Sequence, residues 1–311
     1  MRNGIELVRR GLLLASFLPL SAFAVMPTNP VTDREFMRLP DGTNLSDIKV
    51  SGVKLSLSRG SGNTFTAAVK ANYENIKHDS MTNPNSKVQW VLMDLDAHRV
   101  IEQSASSHRR MFGASVAKVY VASTLVDKQN GALTSSQKQL YADMLVVSSN
   151  TAWTNLQSQI GGGNADKGRE GIWNFTQRMG YVDTRGWQGS WGARHGNELT
   201  AADLAELLHD TYKARFAGAE VFWKFMHTCR TGAERGRKYI PSSLIVGAKT
   251  GTYDGPTTLD GVNTSVKVRN HVMVFNLNGH EYGMTILADT GSDETAAALA
   301  GGLIREYLGV P

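Results

Sequence analysis

The order of apolar and polar positions predicts a helical middle flanked by regions of strands. Apolar residues that alternate with polar ones are typical of strands, and apolar residues that recur every three to four positions are typical of helices. Helical spacing dominates from about residue 112 to residue 229, and it returns at the end of the chain over 294–308. Strand patterns cover residues 88–94, 100–102, 244–248, 266–277 and 281–288.

This order predicts a mixed α/β (α+β) fold, an antiparallel sheet flanked by helices with an all-helical lobe inserted into it. The folded domain is expected over residues 86–311, and its helical lobe over about 112–240. Residues 25–85 are punctuated by Asn, Ser, Thr, Gly and Pro. They carry short strand patterns and one helical stretch near 65–76, and no chemistry is assigned to them.

The first 24 residues have the pattern of a signal peptide. Three arginines precede an apolar run over residues 11–20, and Ala22-Phe23-Ala24 supplies the small residues of a cleavage site. The run is too short to span a bilayer as a folded helix. We expect cleavage after Ala24, no stable membrane anchor, and a periplasmic or secreted protein. Arg9-Arg10 leaves open whether export uses the general or the twin-arginine route.

Composition excludes several classes of function. The 33 basic and 28 acidic residues give a net charge of +5, which is too small for a nucleic-acid footprint. The single cysteine, Cys229, has no partner for an internal disulfide, and its apolar neighbours predict a buried, inert thiol. The eight histidines show no His-x-x-x-His spacing, so we expect no zinc enzyme and no cofactor. A monomer is expected.

The strongest chemical signal is a serine and a lysine three positions apart at the start of an apolar helix. Residues three apart lie on the same helical face, so Ser115 and Lys118 are expected to be adjacent. The apolar surroundings of Lys118 favour its neutral form, which can accept a proton from the serine. Ser-x-x-Lys occurs four times in the chain, but only this match opens a near-continuous apolar helix.

Two further motifs follow in order. Ser148-Ser149-Asn150 comes directly before a helical stretch, and Lys249-Thr250-Gly251-Thr252 comes at the end of a strand pattern. With these motifs the chain resembles the penicillin-recognising serine enzymes, the superfamily of class A β-lactamases and penicillin-binding D,D-peptidases. The resemblance covers about residues 86–309, including the segment around Met144–Ala152.

The resemblance assigns a role to each motif. Ser115 is the expected nucleophile and Lys118 the expected base. Ser148 is expected to relay a proton to the leaving nitrogen beside Lys249, and Asn150 to orient Lys118 and the substrate amide. Backbone N–H groups of Ser115 and Thr252 are expected to bind the oxyanion.

A substrate carboxylate is expected at the third motif. Thr250, Gly251 and Thr252 belong to this part of the site, and a guanidinium nearby can bind a carboxylate in bidentate fashion. Two arginines compete for that role. Arg269 precedes the hairpin glycine by ten residues, and Arg235 stands in a Thr-Gly-x-x-Arg sequence; both alternatives stay open here.

Two departures from the class A pattern bear on function. Ser115 and Ser148 are 33 residues apart, about half the class A interval, so a more open cleft is expected. In class A enzymes a loop glutamate activates the deacylating water, whereas residues 186–197 contain no Asp or Glu. Glu198 could serve only from a rearranged loop. Trp187, Trp191 and His195 are candidates to line the cleft.

These features favour an exported serine hydrolase that forms an acyl-enzyme with acyl-D-Ala-D-Ala peptides of peptidoglycan and with β-lactams. The missing carboxylate places D,D-carboxypeptidase or endopeptidase activity first. The alternative is a class A-like β-lactamase with an atypical deacylating base. A penicillin-binding protein that is only acylated is a third hypothesis, which the intact motifs disfavour. An α/β-hydrolase is disfavoured because no strand pattern precedes Ser115.

Overall fold

The computed structural model describes residues 33–185 and 197–311. The predicted signal peptide and the loop residues 186–196, with Trp187, Trp191 and His195, lie outside the described residues. Over the described ranges, no helix is both long enough and apolar enough to cross a membrane.

The chain folds into a sheet covered by helices on both faces. The helices are Asp33–Phe36 (α1), Ala67–Thr82 (α2), Lys118–Lys128 (α3), Ser135–Val146 (α4), Asn150–Ile160 (α5), Ala165–Met179 (α6), Ala201–Tyr212 (α7), Ala219–Met226 (α8) and Asp293–Leu308 (α9). The strands are Lys49–Val50 (β1), Val53–Lys54 (β2), Val88–Asp94 (β3), Arg99–Gln103 (β4), Met111–Phe112 (β5), Glu198–Leu199 (β6), Val246–Leu259 (β7), Val262–Leu277 (β8) and His280–Ala288 (β9).

The main sheet has the order β4-β3-β9-β8-β7, and every neighbouring pair is antiparallel. Its two long hairpins close in two-residue turns. At Asn278 and Gly279 the φ angles are +54° and +85°, as left-handed hairpin turns require. Strand β7 lies at an edge of this sheet, which leaves one of its sides available to the functional site.

Strand β3 shows why both faces need a cover, since all seven of its residues are buried. Its side chains alternate between two cores: Val91 and Met93 pack with the helical lobe, whereas Trp90 and Leu92 pack beneath α2 and α9. The opposite pointing of successive strand residues produces this division. Close packing of α2 on α9 requires Gly302, where an added Cβ would lie 2.2 Å from the Tyr73 ring.

The helical lobe is built around α3, whose residues from Lys118 to Val126 are all buried. Helices α4, α5, α6 and α8 surround it. The structure confirms the predicted fold class, the hairpin of β3 and β4, and the closing helix. The helix predicted near 65–76 is observed at Ala67–Thr82.

Candidate active site

Ser115 lies in a tight 3₁₀ turn, Ala114–Ala117, that leads directly into α3. The turn is strained, because Ala114 has a φ of +46°, in the left-handed region that favours glycine. Gly113 is held against Leu199, whose Cδ1 would lie 2.1 Å from an added Cβ. Ser115 is partly exposed while both of its neighbours are buried. The turn therefore presents this hydroxyl at the surface of a rigid core.

Lys118 is fully buried beneath Ser115. Its Nζ lies 2.7 Å from Ser148 O and 2.7 Å from Asn150 Oδ1, and 2.9 Å from Ser115 Oγ. Burial lowers the pKa of Lys118 to about 6, and the charge of Lys249 contributes. A neutral amine has two N–H donors and one lone pair. The two carbonyl oxygens can accept only those donors, so the lone pair is left for a hydroxyl proton from Ser115 or Ser148, whose Oγ atoms lie 2.9 and 3.1 Å away.

Ser148 stands between two amines. Its Oγ lies 3.1 Å from Lys118 Nζ and 2.9 Å from Lys249 Nζ. The residue has a φ of +64°, which places it in a left-handed turn between α4 and α5. Ser149, the next residue, caps α5 by accepting a hydrogen bond from the backbone N–H of Ala152. The second motif thus places a strained residue just before the start of α5, where its hydroxyl lies against both lysines.

Lys249 is fully buried on β7, beside Ser148. It also donates to Thr250 O, at 2.7 Å. Burial, with a smaller contribution from nearby Arg235, lowers the pKa of Lys249 to about 8. At neutral pH the pair therefore consists of a mainly neutral Lys118 and a mainly protonated Lys249. One can accept a proton, and the other provides positive charge.

Gly251 brings β7 against the Ser115 turn. An added Cβ at this position would lie 2.6 Å from Gly113 O and 3.2 Å from Ser115 N. Only glycine allows this approach. The backbone at Gly251 consequently lies beside the Ser115 amide, one residue before Thr252, the second expected donor of the oxyanion hole.

A cavity of about 330 Å³ opens over these groups. It is polar, and Thr231 Oγ1 and Thr250 Oγ1 lie 2.7 Å apart along one wall. Lys118 and Lys249 lie behind its surface. Its lining consists of Ser115, Ser148, Asn150, Thr231, Gly232, Glu234, Arg235, Thr250, Thr252 and Asp293.

The two arginines differ in position. Arg235 lines the cavity and donates to Gly251 O at 3.0 Å and to Thr252 Oγ1 at 2.9 Å. Arg269 does not line it, and Asp254 holds its guanidinium through two bonds of 2.6 and 2.9 Å. Of the two alternatives from the sequence, only Arg235 faces the place where a substrate would lie.

The sequence did not predict two further residues of the site, one that lines the cavity and one that supports the Ser115 turn. Asp293 Oδ1 accepts a hydrogen bond from Arg235 Nε at 2.7 Å, and its carboxylate lines the cavity. Asn270 is fully buried and donates from Nδ2 to Phe112 O at 2.8 Å and Gly113 O at 3.1 Å. It ties β8 to the strand that precedes Ser115. Both lie outside the three motifs, so no local pattern marked them.

Glu198 is the acid next to the loop that class A enzymes use for deacylation. It is fully buried, and its Oε2 pairs with Arg185. Its Oε1 accepts a hydrogen bond from the Asp260 backbone N–H at 2.7 Å. Strand pairing fixes the backbone of Glu198 opposite Phe112. Glu198 is therefore held among Arg185, Asp260 and Phe112, and it does not line the cavity over Ser115.

Solved structures of similar fold include several β-lactamases. The enzyme from Xanthomonas campestris pv. campestris is 17% identical with a TM-score of 0.60, and the alignment covers 78% of this chain and 98% of that one. The enzyme from Streptosporangium roseum is 18% identical with a TM-score of 0.60, and the alignment covers 78% of this chain and 99% of that one. One from Desulfarculus baarsii is 18% identical with a TM-score of 0.60, covering 79% and 98%. No curated protein sequence matches at a significant level.

A family model described as the beta-lactamase enzyme family matches residues 126–306, more than half of the chain. The match begins after the Ser115 turn and includes the second and third motifs. The chain therefore belongs to the beta-lactamase enzyme family, and it is a serine hydrolase that cleaves amide bonds.

Proposed function

We propose that this enzyme forms an acyl-enzyme at Ser115 with β-lactams and with acyl-D-Ala-D-Ala peptides, and that it turns over the peptides faster than the β-lactams. The observation that carries the proposal is the geometry around Lys118. Its two N–H donors face carbonyl oxygens, and its lone pair can accept the proton of the Ser115 hydroxyl, 2.9 Å away. This geometry supports acylation of Ser115.

Acylation begins when Ser115 Oγ attacks the substrate carbonyl and its proton passes to Lys118 Nζ, 2.9 Å away. Negative charge then develops on the carbonyl oxygen. The amides of Ser115 and Thr252 are the proposed donors to it, since β7 packs directly on the Ser115 turn.

Departure of the leaving nitrogen requires a proton. Ser148 Oγ lies within 3.1 Å of Lys118 Nζ, so it can pass on the proton that Lys118 has taken from Ser115. Lys249, 2.9 Å from the same oxygen, stabilises the negative charge that Ser148 develops during the transfer. The C–N bond breaks and the nitrogen leaves as a neutral amine, with Lys118 again neutral.

The carboxylate of the substrate is proposed to bind Thr250, Thr252 and Arg235. The charge of Arg235 is partly offset by Asp293, which pairs with it. A bound carboxylate would therefore share this guanidinium with Asp293. We propose that recognition here depends more on the two hydroxyls than in a site with an unpaired arginine.

Deacylation separates the two leading functions. The leaving D-Ala of a linear peptide departs and makes room for water beside Lys118 and Ser148. The ring-derived leaving group of a β-lactam stays tethered to the acyl group. A base is therefore needed to activate water on the side of the ester that this group does not block. Residues 186–197 contain no carboxylate, and Glu198 is held by Arg185. These facts support slow release of a β-lactam adduct.

Efficient β-lactam hydrolysis is the second candidate, and the family match supports it. Intact-protein mass spectrometry over time separates the two, with hydrolysis of nitrocefin and D-Ala release from an acyl-D-Ala-D-Ala peptide measured in parallel. We expect a penicillin adduct that persists for minutes and steady release of D-Ala. An adduct lost within seconds, with nitrocefin turnover at the 1–10³ s⁻¹ of ordinary enzymes, would assign the chain to β-lactamase function.

Export is proposed from residues 1–24 alone. Expression with this segment intact, followed by N-terminal sequencing of the periplasmic or secreted fraction, tests it. A mature chain that begins at Val25 supports export, and retention of Met1 in cytosolic protein would contradict it.

A further inference from the structure

The fold assembles a second group of chemically active side chains outside the Ser115 cavity. His98 lies in the turn between β3 and β4, and Glu206 and His209 lie one helical turn apart on α7. One potential ligand atom from each of these three residues lies within 4.8 Å of the others. None of the three lines the Ser115 cavity. We call His98, Glu206 and His209 the two-histidine cluster.

The members of the two-histidine cluster are in close contact. His98 Nε2 lies 2.8 Å from Glu206 Oε2, and the two imidazole rings are stacked with centroids 3.6 Å apart. Two imidazoles and one carboxylate are a ligand set that binds zinc when a fourth position is open to water. His98 has a φ of +50°, a strained conformation that holds its side chain over α7.

His209 is the buried member of the two-histidine cluster. It is 1% exposed, and its Nδ1 makes no hydrogen bond within the described part of the chain. Asp210 Oδ1 lies 3.3 Å from this nitrogen. A carboxylate beside Nδ1 favours the tautomer protonated there, which leaves a lone pair on Nε2. A metal-ligating histidine typically has such a carboxylate behind it.

The charges around the two-histidine cluster permit a cation. Three basic side chains share the adjoining cavity of about 680 Å³ with His98 and His209. Each faces a carboxylate, so its positive charge is offset: Arg178 pairs with Asp127, Lys213 with Asp96, and Arg215 with Asp210. The carboxylate of Glu206 pairs with His98 alone among the described residues.

We propose that His98, Glu206 and His209 bind one divalent ion of the zinc class, apart from the reaction at Ser115. Zinc bonds of about 2.0–2.1 Å place tetrahedral ligand atoms about 3.3 Å apart, so the cluster must contract. His98 is half-exposed and can turn from the stacked position to do so. The bound ion would tie the β3–β4 turn to α7, and it would raise the melting temperature as its concentration rises.

Titration of the protein with zinc chloride, followed by calorimetry in a buffer that does not bind metal, tests the site. We expect one ion per chain and a rise in melting temperature that a chelator reverses. His98→Ala and Glu206→Gln should each weaken binding by at least about tenfold. These two side chains are surface groups, so their replacement avoids the folding defect expected on replacing buried His209.

His108→Ala is the matched control. His108 is also exposed and also pairs with one carboxylate, that of Asp183 at 3.0 Å, but no second histidine of the described residues completes a metal-binding group with it. Its replacement should leave zinc affinity unchanged. Absence of zinc binding to the native chain would show that His98 and Glu206 form only an ion pair. Equal affinity in all four proteins would place the zinc elsewhere, and either result overturns the proposal.

Discussion

Protonation of Lys118 should switch off acylation. With a pKa of about 6, about nine-tenths of Lys118 is neutral at pH 7; at its ordinary pKa of about 10.4, fewer than one in a thousand would be. Below pH 6 the neutral fraction falls tenfold per pH unit. The second-order rate constant for acylation by nitrocefin should therefore rise with pH and level off above a midpoint near 6.

Replacement of Lys249 by alanine should move that midpoint upward. Ser148 Oγ is 3.1 Å from one amine nitrogen and 2.9 Å from the other, so the two are at most 6.0 Å apart. Two unit charges at about 6 Å repel by about 2–3 kcal/mol at an effective dielectric constant near 20. Loss of this repulsion should raise the pKa of Lys118, and with it the kinetic midpoint, by one to two pH units.

Stopped-flow measurement of acylation from pH 5 to pH 9 gives both midpoints, and the shape of each profile is independent of the overall loss of rate. Lys267→Ala is the matched control, because Lys267 is an exposed lysine on the neighbouring strand β8. Its midpoint should equal that of the native enzyme. A native midpoint far above 7, or an unchanged midpoint in Lys249→Ala, would refute the assignment of Lys118 as the base.

Three further predictions follow from contacts at the site. Gly251→Ala should slow acylation by about 10²-fold while the protein stays folded, because the added Cβ displaces β7 from the Ser115 turn. An unchanged acylation rate would show that β7 does not contribute to the oxyanion site. Arg235→Ala should lower kcat/KM for a carboxylate substrate by an amount that corresponds to roughly 2 kcal/mol, and Arg269→Ala should lower it much less. Equal or reversed losses would assign carboxylate binding to Arg269. Lys118→Met should make the free energy of unfolding less dependent on pH. Between pH 6 and 10 the unfolded native-sequence chain binds a proton at Lys118 that the folded chain does not, so its free energy of unfolding falls by up to about 1.4 kcal/mol per pH unit as the pH is lowered. Urea unfolding of both proteins at pH 6.5 and 8.5 measures the difference.

The parts of the site that the sequence predicts are those encoded locally. Ser115 and Lys118 are neighbours on one helical face, and the structure places their polar atoms 2.9 Å apart. Ser148 and Lys249 come from distant segments, and their motifs implied a common site only through the family resemblance. The fold places Ser148 Oγ 3.1 Å from Lys118 Nζ and 2.9 Å from Lys249 Nζ.

Other contacts could not be predicted, because they depend on tertiary packing. The positions of Arg235 and Arg269 in the sequence do not show which of them faces the cavity. Asp254 holds Arg269 away from the cavity only because β7 and β8 pair in one particular register. Asp293 begins α9 and reaches the site only after α9 packs on the sheet. The two-histidine cluster has the same origin, since His98 is more than a hundred residues from its partners on α7.

The most direct test of the account is the mass of the intact protein after exposure to a penicillin. Ser115 is the partly exposed hydroxyl that lies 2.9 Å from the nitrogen of a lysine whose pKa is lowered to about 6. We expect a single adduct, located on Ser115 by peptide mapping and absent from Ser115→Ala. An adduct that persists in Ser115→Ala, or maps to another serine, would contradict the central claim.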